Sequence, residues 1–76
     1  MKDPYFRFLQ AEDDERHGDY AGAVQHYRQA IRLYDGDPRF YVGLARAYRQ
    51  LGEERHAQRA MNRAAALGRR SAGGRN

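Results

Sequence analysis

The side chains able to do chemistry in this 76-residue chain are few, and their spacing argues against catalysis. The run Glu12-Asp13-Asp14-Glu15 offers four carboxylates, the raw material of general acid–base work. On a helix, however, they spread around the axis, with only Glu12 and Glu15 near one face. The run lacks the enclosing apolar pocket that raises the pKa of a general acid. The run therefore reads as a solvated charged face. Nucleophiles are equally scarce: there is no Cys and no Thr, the single Ser is Ser71 and the single Lys is Lys2, both near the ends. His17, His26 and His56 lack the four-residue spacing that places two imidazoles on one metal. Gly68, Gly73 and Gly74 neither follow a strand nor open a helix, so they form no phosphate loop. No catalytic, cofactor-binding or metal-ligating residue is assigned, no cofactor is expected, and the chain is not expected to be an enzyme.

Composition narrows the class further. With 41% hydrophobic and 12% aromatic residues the chain has too much apolar material to stay disordered, yet its size permits one small core. Without cysteine, disulfides and thiolate metal sites are excluded. The first seven residues interrupt their apolar members with charge, unlike a secretory leader, and no stretch approaches the roughly 20 apolar residues of a membrane span. A cytoplasmic protein that does not enter a membrane is the expectation. The net charge of +4 is unevenly placed: residues 1–38 hold five Lys or Arg against eight Asp or Glu, and residues 39–76 hold nine against two.

The elements that must position these residues come in two copies. Asp3 and Asp37, Pro4 and Pro38, Phe6 and Phe40, Ala11 and Ala45, Gly18 and Gly52, Ala23 and Ala57, Ala30 and Ala64, and Leu33 and Leu67 all stand 34 residues apart. Such self-similarity is the mark of a repeat architecture. Each Asp-Pro pair supplies an N-cap and a proline at the first helical position, where a missing amide hydrogen costs nothing. Gly18 and Gly52 stop those helices by taking the left-handed conformation, and Asp19 can cap the helix that follows. Ala23, Tyr27, Ala30, Ile31 and Tyr34, then Leu44, Ala45, Tyr48 and Leu51, recur at three- and four-residue steps as buried helical stripes do. The pattern predicts helices over 4–17, 20–34, 38–51 and 54–68, followed by a flexible basic end. Tyr20, Tyr27, Tyr34, Tyr41 and Tyr48 lie seven apart, but Gly18, Gly36, Pro38 and Gly52 interrupt the run and rule out a coiled-coil seam.

These residues resemble the tetratricopeptide repeat family. Its pattern W-x2-L-G-x2-Y followed by A-x3-F is matched in spacing by Tyr41, Leu44, Ala45 and Tyr48, then Ala57, Met61 and Ala64. In the first repeat Ala11, Gly18, Asp19, Tyr20, Ala23, Tyr27 and Ala30 match. Arg7, Gln10 and Asp14, however, stand where large apolar residues are usual, and Asp35 replaces the customary proline. The resemblance implies an all-α fold: two tetratricopeptide-type helix-turn-helix hairpins, residues 3–36 and 37–69, stacked as a short right-handed α-solenoid of four helices, with 70–76 as a basic tail.

The resemblance further implies a noncatalytic scaffold for protein–protein interaction, holding a peptide or partner helix in a concave groove. Carried over by position, the groove would be lined by Tyr5, Phe8, Leu9, Glu12 and Glu15 from the first helix and Arg39, Val42, Gly43, Arg46 and Arg49 from the third. Arginine forks there suit a ligand with apolar anchors and an acidic residue. Glu12 and Arg46, and Glu15 and Arg49, also stand at equivalent places on neighbouring helices and could instead pair with each other. The family's clamp for chaperone tails uses lysine and asparagine where this chain has Phe8, Glu12 and Gly43, so that ligand is not expected. With two repeats and no closing helix, a homodimer through the last helix is expected, over Ala57, Ala60, Met61, Ala64, Ala65 and Leu67. The alternative is weak binding of nucleic acid or an acidic partner through the basic second half and the tail. No base-reading motif supports it, and the acidic first half opposes it.

Overall fold

The structure, a computed structural model, describes residues 3–73, with side chains as far as Arg70. Four helices follow one another: α1 (Pro4–Arg16), α2 (Tyr20–Leu33), α3 (Pro38–Gln50) and α4 (Glu54–Gly73). The hairpins start and stop as their residues dictate. Asp3 and Asp37 sit in extended backbone, and each accepts a hydrogen bond at 2.9 Å from the second amide of the helix it opens, that of Tyr5 or Arg39. Asp19 accepts from the third amide of α2, that of Gly22, at 2.9 Å. Both tight turns are Schellman closures. Gly18 and Gly52 have φ of 77°, and the amides of Asp19 and Glu53 reach back to the carbonyls of Asp14 and Tyr48 at 2.8 and 2.9 Å.

Each helix packs chiefly on its sequence neighbours: α1 on α2, α2 on α3 and α3 on α4, with a lighter contact between α1 and α3. The molecule is a twofold-repeated stack of helical hairpins. Its core consists of the small residues Ala11, Ala23, Ala30, Ala45, Ala47, Ala57, Ala60 and Ala64, with Val24, Leu44 and Leu67 beside them and two fully buried rings, Tyr27 and Phe40. Alanine lets the backbones approach closely, and the rings fill what remains. The seven-residue tyrosine series has no common environment: Tyr27 is buried, Tyr34 is exposed and the other three are half-buried.

The first three helices end within one residue of the sequence-based expectation. The fourth does not: it was expected to stop at 68 but runs to Gly73, so residues 70–73 are helical. A glycine ends a helix when its φ turns positive, and only Gly18 and Gly52 do so among the described residues. Gly68 has no such turn, no proline follows it, and Arg69 and Arg70 suit the negative end of the helix dipole. Residues 74–76 of the expected tail, Arg75 among them, lie outside the described residues.

Polar residues in α1 where the repeat pattern has apolar ones are paired rather than orphaned. Arg7 donates to Gln10 at 3.0 Å, and Asp14 lies 2.6 Å from the His26 ring nitrogen on α2. Polar contacts thus replace part of the apolar seam of the first hairpin.

Candidate functional site

The side shared by α1 and α3 is organised by two constellations, each combining a tyrosine, a carboxylate and an arginine. In the first, Asp37 both caps α3 and holds Arg39. The guanidinium donates to the carboxylate through Nε at 3.1 and 3.2 Å and through a terminal nitrogen at 2.7 Å. That nitrogen also donates to the Tyr5 hydroxyl at 2.8 Å, and the hydroxyl donates to Asp37 at 2.9 Å. The Arg39 guanidinium lies 5.2 Å from the Tyr5 ring centre and 5.6 Å from that of Phe8, within cation–π range. In the second, Glu15 receives the Arg46 fork at 3.0 and 2.8 Å and a short hydrogen bond from the Tyr27 hydroxyl, which itself accepts from Arg46 at 3.2 Å. This constellation ties α1, α2 and α3 together. The rings interlock as well: Phe8 packs on Phe40 at 5.2 Å and on Tyr27 at 5.9 Å, while Tyr5 meets Phe40 edge-on at 5.6 Å.

The electrostatics follow from these contacts. Hydrogen bonds from Arg39 outweigh burial and hold the Asp37 carboxyl down at about 2. Burial alone would raise Glu15, but hydrogen bonds from Arg46 and Tyr27 overcome it and keep the carboxyl below its usual range. Burial, then the adjacent Glu15, pushes the Tyr27 phenol well above its usual value, and the bond to Asp37 raises Tyr5. The hydrogen bonds that Arg39 and Arg46 donate to Asp37 and Glu15 make both guanidinium groups harder still to deprotonate.

A pH dependence follows. A carboxyl whose folded pKa lies below its unfolded value of about 3.9 contributes stability that is present above that value and is lost as pH falls through the folded pKa. For Asp37 the window is therefore from about pH 4 down to about 2. The melting temperature is expected to fall more steeply across this window for the native chain than for Asp37→Asn. Parallel curves by circular dichroism would show that the Asp37 pairing adds nothing to folding.

Between the two constellations Phe8, Glu12, Arg39, Val42 and Arg46 border a depression of about 220 Å³. Five of the ten residues expected in the groove are thus brought together. Tyr5 joins them through Arg39. Arg49 lies further along α3, 3.6 Å from Glu54 of α4. Leu9 is 59% exposed and does not border this depression. Gly43, its repeat equivalent, is buried against the Tyr27 ring. The pairing of equivalent positions is also shifted by one turn. Arg46 takes Glu15 rather than Glu12, because Tyr27 already fixes Glu15 within reach, and Arg49, losing that partner, turns to Glu54. Sequence reasoning read Asp37 only as a cap and Tyr27 only as core. The signal for the first lay in Arg39 two residues on, within reach of the same carboxylate.

The face expected to join two copies is largely used inside the single chain. Ala57, Ala60, Ala64 and Leu67 are buried within the single chain, Met61 is half-buried, and only Ala65 of the six is exposed. Small residues permit close helix approach, and here α3 has already made that approach.

The histidines are apart from one another: His17 contacts the Asp13 carbonyl at 2.8 Å, His26 pairs with Asp14, and the His56 ring lies 4.9 Å from that of Tyr48. Among the described residues no helix is long and apolar enough to cross a membrane. No curated protein and no solved structure shows significant similarity to the chain. The tetratricopeptide repeat family model matches residues 16–72, passing over most of α1, where the polar substitutions lie. Capped hairpins, a 34-residue period, an alanine-lined core and this match agree: the chain belongs to the tetratricopeptide repeat family, whose repeats are in general noncatalytic modules of protein–protein interaction.

Proposed function

We propose that the chain holds an extended peptide or a partner helix in the shallow groove between α1 and α3. The ligand places an apolar side chain against Phe8 and Val42 and a cation beside Glu12. The observation that carries this reading is the shared depression bordered by Phe8, Glu12, Arg39, Val42 and Arg46. The arginines there suggested an acidic ligand from sequence, but Arg39 and Arg46 already hold Asp37 and Glu15 in two-point fashion. An acidic ligand must displace those carboxylates. Glu12, by contrast, has no ion-pair or hydrogen-bond partner among the described residues and stands ready for a cation.

Selection from a displayed random-peptide library tests this. Peptides enriched on the native chain are expected to combine an aliphatic or aromatic residue with Lys or Arg. They are expected to lose at least about tenfold in affinity, or about 1.4 kcal/mol, on Val42→Asp, which sets a charge where the anchor sits. Equal binding to that variant would sink the groove reading.

A second reading, contact with nucleic acid or an acidic partner, is favoured by one observation. Arg55, Arg59, Arg63 and Arg70 are exposed on α4 without a carboxylate partner among the described residues. Enrichment of polyacidic peptides whose binding maps to α4 would move the assignment to this surface.

A further inference from the structure

Phe6 and Phe40 occupy the same place in the two repeats, yet Phe40 is wholly buried and Phe6 is 56% exposed. Leu9 and Gly43 differ in the same way. The cause is a missing neighbour: α3 has α2 against this side, whereas among the described residues nothing covers the corresponding side of α1. The opposite end shows the converse. Val24 and Tyr27 of α2 are buried, but their equivalents on α4, Gln58 and Met61, are exposed and half-buried, and Ala65, the equivalent of Ile31, is exposed.

We infer that a second copy of this chain docks head to tail, its α4 lying on α1 of the first as α2 lies on α3. The internal contact supplies the register. A Cβ on Gly43 would meet the Tyr27 ring, so residue 27 sits on residue 43. A shift by one repeat sets Met61 of one copy on Leu9 of the next. Neighbouring helices joined by a short connection run antiparallel, which brings Ala65 opposite Phe6 and Gln58 opposite Asp13. Side-chain sizes adapt to the exchange. Tyrosine over glycine becomes methionine against leucine, two flexible chains that fill the layer together, and alanine for isoleucine leaves room for the Phe6 ring. The Gln58 amide, which donates to Asn62 at 3.0 Å within the chain, can also donate to Asp13, whose present partners are the exposed Arg16 at 3.4 Å and His17 at 3.7 Å.

Charge selects this arrangement over a symmetric one. Of the four carboxylates of α1, Asp14 and Glu15 are held by His26 and Arg46, which leaves Glu12 and Asp13 without a partner on another helix, and α4 carries five arginines against one carboxylate. Pairing α4 with α4, or α1 with α1, sets like charges together, whereas α4 on α1 joins opposites. The contact uses a different patch on each copy, so both ends stay open and association continues beyond two. Each added copy lengthens the concave face, although the inference does not depend on any ligand in it.

The test blocks one end at a time. Leu9→Arg and Ala65→Arg change exposed positions, so each variant is expected to keep its helicity and melting temperature. Light scattering after size exclusion, from low micromolar to millimolar concentration, is expected to show the native chain growing past the dimer and each variant monomeric. An equimolar mixture of the two variants, which has one intact face of each kind, is expected to double in mass and stop there. A native chain that stays monomeric throughout, a single variant that still dimerises, or a mixture that stays monomeric would each overturn the proposal.

Discussion

Tyr27→Ala is expected to bring the chain to the edge of unfolding at room temperature. Removing a buried aromatic side chain costs about 3–5 kcal/mol. A domain of this length has roughly 4–11 kcal/mol in all. Tyr27 is fully buried, touches Phe8, lies against Gly43 and donates to Glu15, so its loss opens a cavity where three helices meet. It also leaves Glu15 with Arg46 alone in a pocket that is still largely shielded from water. Tyr27→Phe separates the two contributions. The ring stays, one hydrogen bond goes, and the expected loss is about 1 kcal/mol. Urea denaturation followed at the helical circular-dichroism band measures both. A Tyr27→Ala chain within about 1 kcal/mol of the native one would mean that the ring does not hold the repeats together.

The second large effect concerns glycines that substitution tables treat alike. Gly→Ala in an exposed helix interior normally stabilises by about 0.5–1 kcal/mol, because glycine has more freedom to lose on folding. Gly68→Ala is expected to follow this rule, since a Cβ there meets nothing within 4 Å. Gly43→Ala is expected to do the opposite. Its Cβ would run into Cζ and Cε1 of the Tyr27 ring and fall 2.7 Å from its hydroxyl. That ring cannot swing aside while Glu15 and Arg46 hold its hydroxyl and Phe8 its face. Overpacking costs about 1–3 kcal/mol, enough to outweigh the propensity gain. In a chain of this size about 2 kcal/mol lowers the melting temperature by on the order of 10 °C. Tyr27→Leu in the same chain is expected to recover part of the loss, because the two residues are in contact and their effects are not additive. If Gly43→Ala and Gly68→Ala shifted melting equally, close approach at Gly43 would not be what the glycine is for.

Both predictions rest on one seam, where α2 meets α3, and that seam explains how the charges between α1 and α3 are paired. Tyr27 passes over Gly43 and reaches Glu15, so Glu15 is fixed for Arg46, Arg46 leaves Glu12 without a partner, and Arg49 goes to Glu54. Which charges stay unpaired between α1 and α3 is thus decided by a core residue, Tyr27.

The division between sequence and structure falls along the same line. Local chemistry determined the elements. Asp-Pro starts, glycines with φ of 77° and the 34-residue period are properties of short segments, and from them the four helices, the two hairpins and the family were legible. The alanine core was legible too, since three- and four-residue spacing marks a buried face. Which neighbour buries that face is another matter. Ala57, Ala60, Ala64 and Leu67 have the same pattern whether α3 or a second copy covers them, and only the packed chain assigns them to α3. Phe6 and Phe40 are indistinguishable by type and position in the repeat, and only the presence of α2 buries one and not the other. The ion pairs were undecided for a similar reason. Periodicity places carboxylates and arginines on a face, but distances of 2.8–3.2 Å between residues as far apart as Glu15 and Arg46 depend on how far one helix slides along the next. That displacement is set by the tyrosine seated on a glycine, a contact that belongs to no single element.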